Sequence, residues 1–72
     1  MTQMMTDAQQ IASRIRGYRR EMGRTQEQVA RDVGCGIRSY AYWESGQRAP
    51  TLPWARALAR YFGCSLDDLL GA

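Results

Sequence analysis

Gly34 restricts the fold of this chain more than any other residue, because it separates two stretches of helical pattern. Before it, Thr25 is a good helix N-cap, and Gln28 three residues later can complete a capping box. Val29, Ala30 and Val33 then fall on one helical face. Gly34 supplies a left-handed stop without a Cβ penalty. After Cys35 and Gly36 the pattern resumes, with Tyr40 and Trp43 on one side and Ile37, Arg38, Ala41 and Tyr42 on the other. The stretch Thr25–Glu44 therefore reads as two short helices joined by a tight glycine turn, the second with a large outward face.

The remaining segments read as further helices. Met1 to Met5 has no periodicity, so residues 1–6 are expected to form a flexible tail and residues 7–72 a single domain. Thr6 and Gln9 offer a second capping box. From Asp7 to about Met22, Ala8, Ile11, Ile15, Tyr18 and Met22 recur at three- and four-residue steps, the mark of an amphipathic helix. Thr51 is placed to cap a fourth helix whose first turn tolerates Pro53 and whose inner side is Trp54, Ala55, Leu58, Ala59 and Phe62. Ser65, Asp67 and Asp68 open a short fifth helix with the acids at its positive end. With no alternating strand pattern, the expected fold is all-α, a compact five-helix bundle. In a chain of 72 residues, which buries only about 60% of its unfolded surface, Trp43, Trp54, Phe62, Tyr40, Ile15 and Leu58 are needed as core.

Several function classes are disfavoured. The chain has no His, no paired carboxylates in a cleft and no phosphate loop, and Asp67 and Asp68 are explained by helix capping, so it does not read as an enzyme. Cys35 and Cys64 have no CxxC or Cys/His partner, and are expected as buried free thiols rather than metal ligands. No cofactor or small-molecule ligand is expected. No apolar run approaches the roughly 20 residues of a membrane span, and no signal-peptide core is evident, which points to the cytoplasm. Net charge is +3. It is concentrated between residues 14 and 24, where Arg14, Arg16, Arg19, Arg20 and Arg24 face only Glu21, whereas the Thr25–Glu44 stretch is close to neutral. All basic residues are Arg, which suits bidentate phosphate and guanine contacts and equally follows from a GC-rich coding bias.

Ile37 and Tyr42 stand where a solvated helix would carry Glu or Lys, so the outward face is expected to contact something. Double-stranded DNA is one candidate, since a helix fits the major groove, Arg binds guanine O6 and N7, and Ile meets a thymine methyl. A protein partner is the other, because exposed apolar residues also mark protein interfaces.

The run TQEQVARDVGCGIRSYAYWESGQRAP, followed by LARYFGCSLDDLL, resembles the Cro and phage-repressor helix-turn-helix family, also called the Xre family. The resemblance covers about residues 11 to 70. It implies a five-helix bundle in which the second and third helices bind DNA, with Gly36, Ile37, Arg38, Ala41 and Tyr42 facing bases. It also implies that Gln26 contacts phosphate and braces the recognition helix, that Ser45, Gly46, Gln47 and Arg48 meet the backbone, and that Arg19 and Glu44 form an ion pair. A partly buried charge needs such a partner. Three features depart from the family pattern: Gly36 replaces a capping Ser or Thr, Ile37 and Ala41 replace polar residues, and the reading unit is neutral.

The expected function is therefore a sequence-specific transcriptional regulator, a repressor, binding a palindromic operator as a homodimer. Its phosphate contacts would come from Arg14, Arg16, Gln26, Ser39, Ser45, Gln47 and Arg48. The alternative is an interaction module that keeps the fold without specific DNA binding. Leu66, Leu69 and Leu70 on the last helix are candidates for the dimer contact and equally for capping the core. If about four phosphates are neutralised per protomer, a dimer would show a log–log salt slope near −7.

Overall fold

Hydrophobic spacing and caps together divide the described residues, 7–71 of a computed structural model, into five α-helices. These are α1 (Asp7–Glu21), α2 (Gln26–Val33), α3 (Ile37–Ser45), α4 (Leu52–Phe62) and α5 (Leu66–Leu70). The described residues contain no strand.

Local chemistry explains most boundaries. Thr25 closes its capping box with Gln28: the Thr25 hydroxyl accepts from the Gln28 amide at 3.1 Å, and the Gln28 side chain accepts from the Thr25 amide at 2.8 Å. Gly34 adopts φ 91°, and both its N–H and that of Cys35 turn back onto the Ala30 carbonyl. Satisfying that end within one residue is what lets α3 restart so soon. Ser65 and Asp68 form a second box that stabilises the single turn and a half of α5.

Three expectations about boundaries need correction or fall elsewhere. The Thr6 cap lies outside the described residues. Thr51 occupies the N-cap of α4 with extended backbone, but its hydroxyl accepts no cap hydrogen bond. Pro53, at the second helical position, removes one of the two N–H groups that a capping oxygen normally engages. Helix α1 stops at Glu21 rather than Met22, and Met22, in the turn beyond, is 40% exposed and outside the core.

The largest fully buried side chains are Ile15, Val29, Tyr40, Leu58 and Leu69, one from each helix. Each helix therefore donates one anchor to a common centre, and none is dispensable to its closure. Helix α1 packs on α3 and α5, α2 on α3 and α4, and α4 on α5. An aromatic wall completes the core: Trp43 lies edge-on to Tyr40 and 5.8 Å from Trp54, while Tyr18 stacks on Phe62 at 5.6 Å. Trp54 and Phe62 are half-buried at its margin rather than fully inside. Both cysteines are free and half-buried.

Leu69 corrects the sequence reading most directly. It has no exposed surface, so it is a core anchor and cannot contribute to a dimer contact. Only Leu66 and Leu70 keep part of their surface. Leu69→Ala is expected to lower unfolding free energy by about 2–5 kcal/mol, measured by urea denaturation, whereas Leu66→Ala costs clearly less. Equal losses at the two positions would contradict the placement of Leu69.

Candidate nucleic-acid interface

The carboxylate of Glu44, in the last turn of α3, is only 2% exposed. A charge so buried is tolerated only when donors surround it, and they arrive from two other helices. From α1, Arg19 grips it with both ends of its guanidinium fork, Nε to Oε2 at 2.6 Å and Nη2 to Oε1 at 3.1 Å. From the start of α2, the Gln26 side-chain amide donates to Oε1 at 3.0 Å. Arg19 also donates to the Arg24 carbonyl at 2.9 Å, tying down the α1–α2 connection. Arg16 donates to the Glu44 backbone carbonyl, satisfying one of the open carbonyls at the end of α3. The buried Tyr40 hydroxyl sits beside the same carboxylate without closing a hydrogen bond of normal geometry. Burial alone would raise the Glu44 carboxyl, but Arg19, Tyr40 and Gln26 outweigh it and hold the group below the ordinary carboxylate range. Burial followed by this carboxylate pushes the Tyr40 phenol far above its usual value, and the bond to Glu44 raises Arg19 further.

The expected Arg19–Glu44 pair is thus present and larger than expected. One carboxylate fixes the end of α3 to α1 and α2, so the direction of the outer α3 face is set by charge and hydrogen bonding as well as by Tyr40 and Trp43. Gln26 has the bracing role that the sequence suggested.

That outer face presents Ile37 at 46% exposure, together with exposed Arg38 and Ser39. Ala41 and Tyr42 are half-buried. Gly36 is the N-cap and makes no side-chain cap bond, as its lack of a side chain requires. An open groove of about 440 Å³ runs between the start of α2 and the start of α3, lined by Thr25, Gln26, Glu27 and Ile37. Beyond α3, Gly46 takes φ 80° and lies so close to α1 that an added Cβ would stand 3.2 Å from Gln9. This holds the following loop, with exposed Gln47 and Arg48, next to exposed Ser45 at the end of α3. Exposed Arg20, Arg24 and Arg31 add positive charge elsewhere on the surface.

Two of the expected phosphate contacts, Arg14 and Arg16, also touch other parts of the fold. Arg14 and Arg16 are two residues apart on α1, hence about 200° apart around it, and cannot serve one face together. Arg16 is engaged with Glu44. Arg14 lies against Gly71 at the end of α5 and lines a hollow of about 290 Å³ with Gly17, Tyr18, Glu21 and Asp68. The bracing role of Arg16 went unread, although its three-residue spacing from Arg19 places both on one side of α1. The stacking of Arg48 on Tyr42, with Cζ 5.2 Å from the ring centroid, also went unread. So did the Tyr61 hydroxyl bond to Asp32 at 2.7 Å, which joins α4 to α2. No helical spacing announces either of those pairs.

Among the described residues no group of acidic or cysteine side chains could hold a metal ion, and no helix is long and apolar enough to cross a membrane.

Comparison with known proteins agrees with this architecture. Residues 15–69 match the family described as helix-turn-helix. Over 59 residues, 82% of this chain and 84% of the relative, the sequence is 37% identical to an uncharacterised HTH-type transcriptional regulator of Archaeoglobus fulgidus. A second such regulator from that organism is 32% identical over 82% of this chain and 83% of its own length. The transcriptional repressor RstR of the cryptic phage CTXphi of Vibrio cholerae is 34% identical over 83% of this chain. Only 54% of that repressor is covered, so the chain spans about half its length. No solved structure gives a significant match. The chain belongs to the Xre-type helix-turn-helix family of DNA-binding transcriptional regulators.

Glu44→Ala is expected to destabilise the fold by about 3–5 kcal/mol, since it strands the Arg19 guanidinium. Because the Glu44 carboxyl is held below its unfolded value of about 4.3, its contribution is complete above that pH and is lost as pH falls through the lower folded value. The stability gap between wild type and Glu44→Ala should therefore narrow as pH drops from about 5 to about 3. A gap that widens on acidification would reverse the assignment.

Proposed function

We propose that this chain is a cytoplasmic, sequence-specific repressor that binds a palindromic operator in double-stranded DNA as a homodimer, with α3 in the major groove. The observation that carries the reading is the Glu44 cluster. It fixes α3 from α1 and α2, and leaves Ile37 and Arg38 exposed at the start of that helix. Arg38 is the principal base reader, matched to guanine O6 and N7, and Ile37 meets a thymine methyl. Gly36 and Ala41, having little or no side chain, allow close approach of the helix to the bases. Gln26, Ser39, Ser45, Gln47 and Arg48 contact phosphates around this face. The name of RstR, a transcriptional repressor, supports repression as the outcome.

Leu66 and Leu70, each partly exposed on α5, are the dimer candidates that remain. Two protomers would read half-sites about 34 Å apart. With Arg14 and Arg16 committed elsewhere, Arg48 is the one cation left among these phosphate contacts, and the expected log–log salt slope for a dimer becomes about −2 rather than −7.

A second reading, a protein-interaction module, is favoured by one observation: Ile37 is 46% exposed beside an open groove that also holds the acidic Glu27. Selection from a random duplex pool separates the two. Enrichment of a palindromic sequence supports the repressor, and a folded protein that enriches nothing supports the module. On the enriched site Arg38→Ala is expected to cost about 1–3 kcal/mol and to relax preference at one guanine. Uniform weakening on every sequence would make Arg38 a phosphate contact instead.

A further inference from the structure

Arg48 is exposed, and among the described residues it has no carboxylate at ion-pair distance. A loop arginine in that situation ordinarily samples many rotamers. Here its guanidinium lies over the Tyr42 ring, and the backbone beneath it is organised by the same residue. The Tyr42 carbonyl accepts from the Ser45 hydroxyl at 3.1 Å and from the Arg48 amide at 3.4 Å. The Ser45 hydroxyl in turn accepts from the Gln47 amide at 3.4 Å. Tyr42 itself is half-buried on α3, which restricts the movement open to its side chain.

A guanidinium held over an aromatic face by cation–π attraction can still present N–H groups to an anion. Ordering it before the ligand arrives removes an entropic penalty from binding. One face of the ring is meanwhile occupied by that guanidinium. We propose that Tyr42 is a positioning residue for Arg48, holding its guanidinium ready for a DNA phosphodiester, and that Tyr42 reads no base itself. This rests on the DNA-binding reading above and assigns a different role to one residue within it.

The test compares wild type with Tyr42→Leu, Arg48→Ala and the double variant on the selected operator, by fluorescence anisotropy across a salt series. Thermal melts establish that each variant is folded. Arg48→Ala should flatten the dimer salt slope by about 2. Tyr42→Leu should weaken dimer binding about four- to twenty-five-fold without moving any base preference. In the Arg48→Ala background it should change nothing further. Tyr42→Phe, which keeps the ring, should restore the affinity that Tyr42→Leu loses. Arg48→Lys, which keeps the charge and loses the planar stack, should lose affinity as Tyr42→Leu does. Multiplicative losses in the double variant, or a changed base preference in Tyr42→Leu, would overturn the proposal. A DNA-free readout separates it from failure of the repressor reading. Ring-current shifts of the Arg48 δ-protons should be present in free wild type and Tyr42→Phe and absent in Tyr42→Leu. Their absence from wild type would overturn the positioning role whether or not the protein binds DNA.

Discussion

The aim of α3 rests on one buried carboxylate, with Tyr40 and Trp43 holding the same helix in the core. Glu44 is almost fully removed from water, a state that costs several kcal/mol unless the charge is matched and hydrogen-bonded. The match is a forked guanidinium from α1 and a side-chain amide from α2. A hydrophobic trio in the same volume could hold the helices together as well, since buried pairs often contribute little net stability. What such a trio could not supply is direction. Two-point contact between a planar guanidinium and a carboxylate fixes a relative orientation. That makes the cluster a device for aiming the outer face of α3 rather than a simple clamp.

The aimed surface is economical. Ile37 and Arg38 lie at the start of α3, where a bare glycine N-cap leaves backbone N–H groups uncovered. The groove lined by Thr25, Gln26 and Glu27 borders Ile37 on one side. The loop after Gly46 is pressed against α1 and carries Arg48 on the Tyr42 platform. The reading helix itself is nearly neutral, so attraction to a polyanion has to come from arginines around it. The structure also shows that these are fewer than the local charge of α1 suggests, because Arg16 and Arg19 are used internally and Arg14 faces α5.

Much of this was legible from residue order. The Thr25 capping box, the Gly34 stop and the apolar periodicities follow from local rules, and the five helices appear where those rules place them. Tyr40 and Trp43 were separable from Ile37 and Arg38 because a single helix turn assigns opposite faces to them. The failures share a cause, which is that tertiary context decides among locally equivalent residues. Leu66, Leu69 and Leu70 are alike in sequence, yet only Leu69 is fully buried. Arg14, Arg16 and Arg19 look like one basic stripe, but their angular separation sends them to different neighbours. Met22 continues the α1 pattern in sequence and loses its place because the helix ends one residue earlier. Thr51 fails as a side-chain cap beside Pro53.

The α3 face, and not the Arg14 hollow by α5, is the surface proposed to meet DNA. Amide chemical-shift mapping of the isotope-labelled protein during titration with a duplex tests it directly. The account predicts shifts at Gln26, Gly36, Ile37, Arg38, Ser39 and Arg48, with Gly17, Tyr18 and Asp68 little changed. Shifts concentrated around Arg14, Tyr18 and Asp68, with Ile37 and Arg38 unmoved, would contradict it.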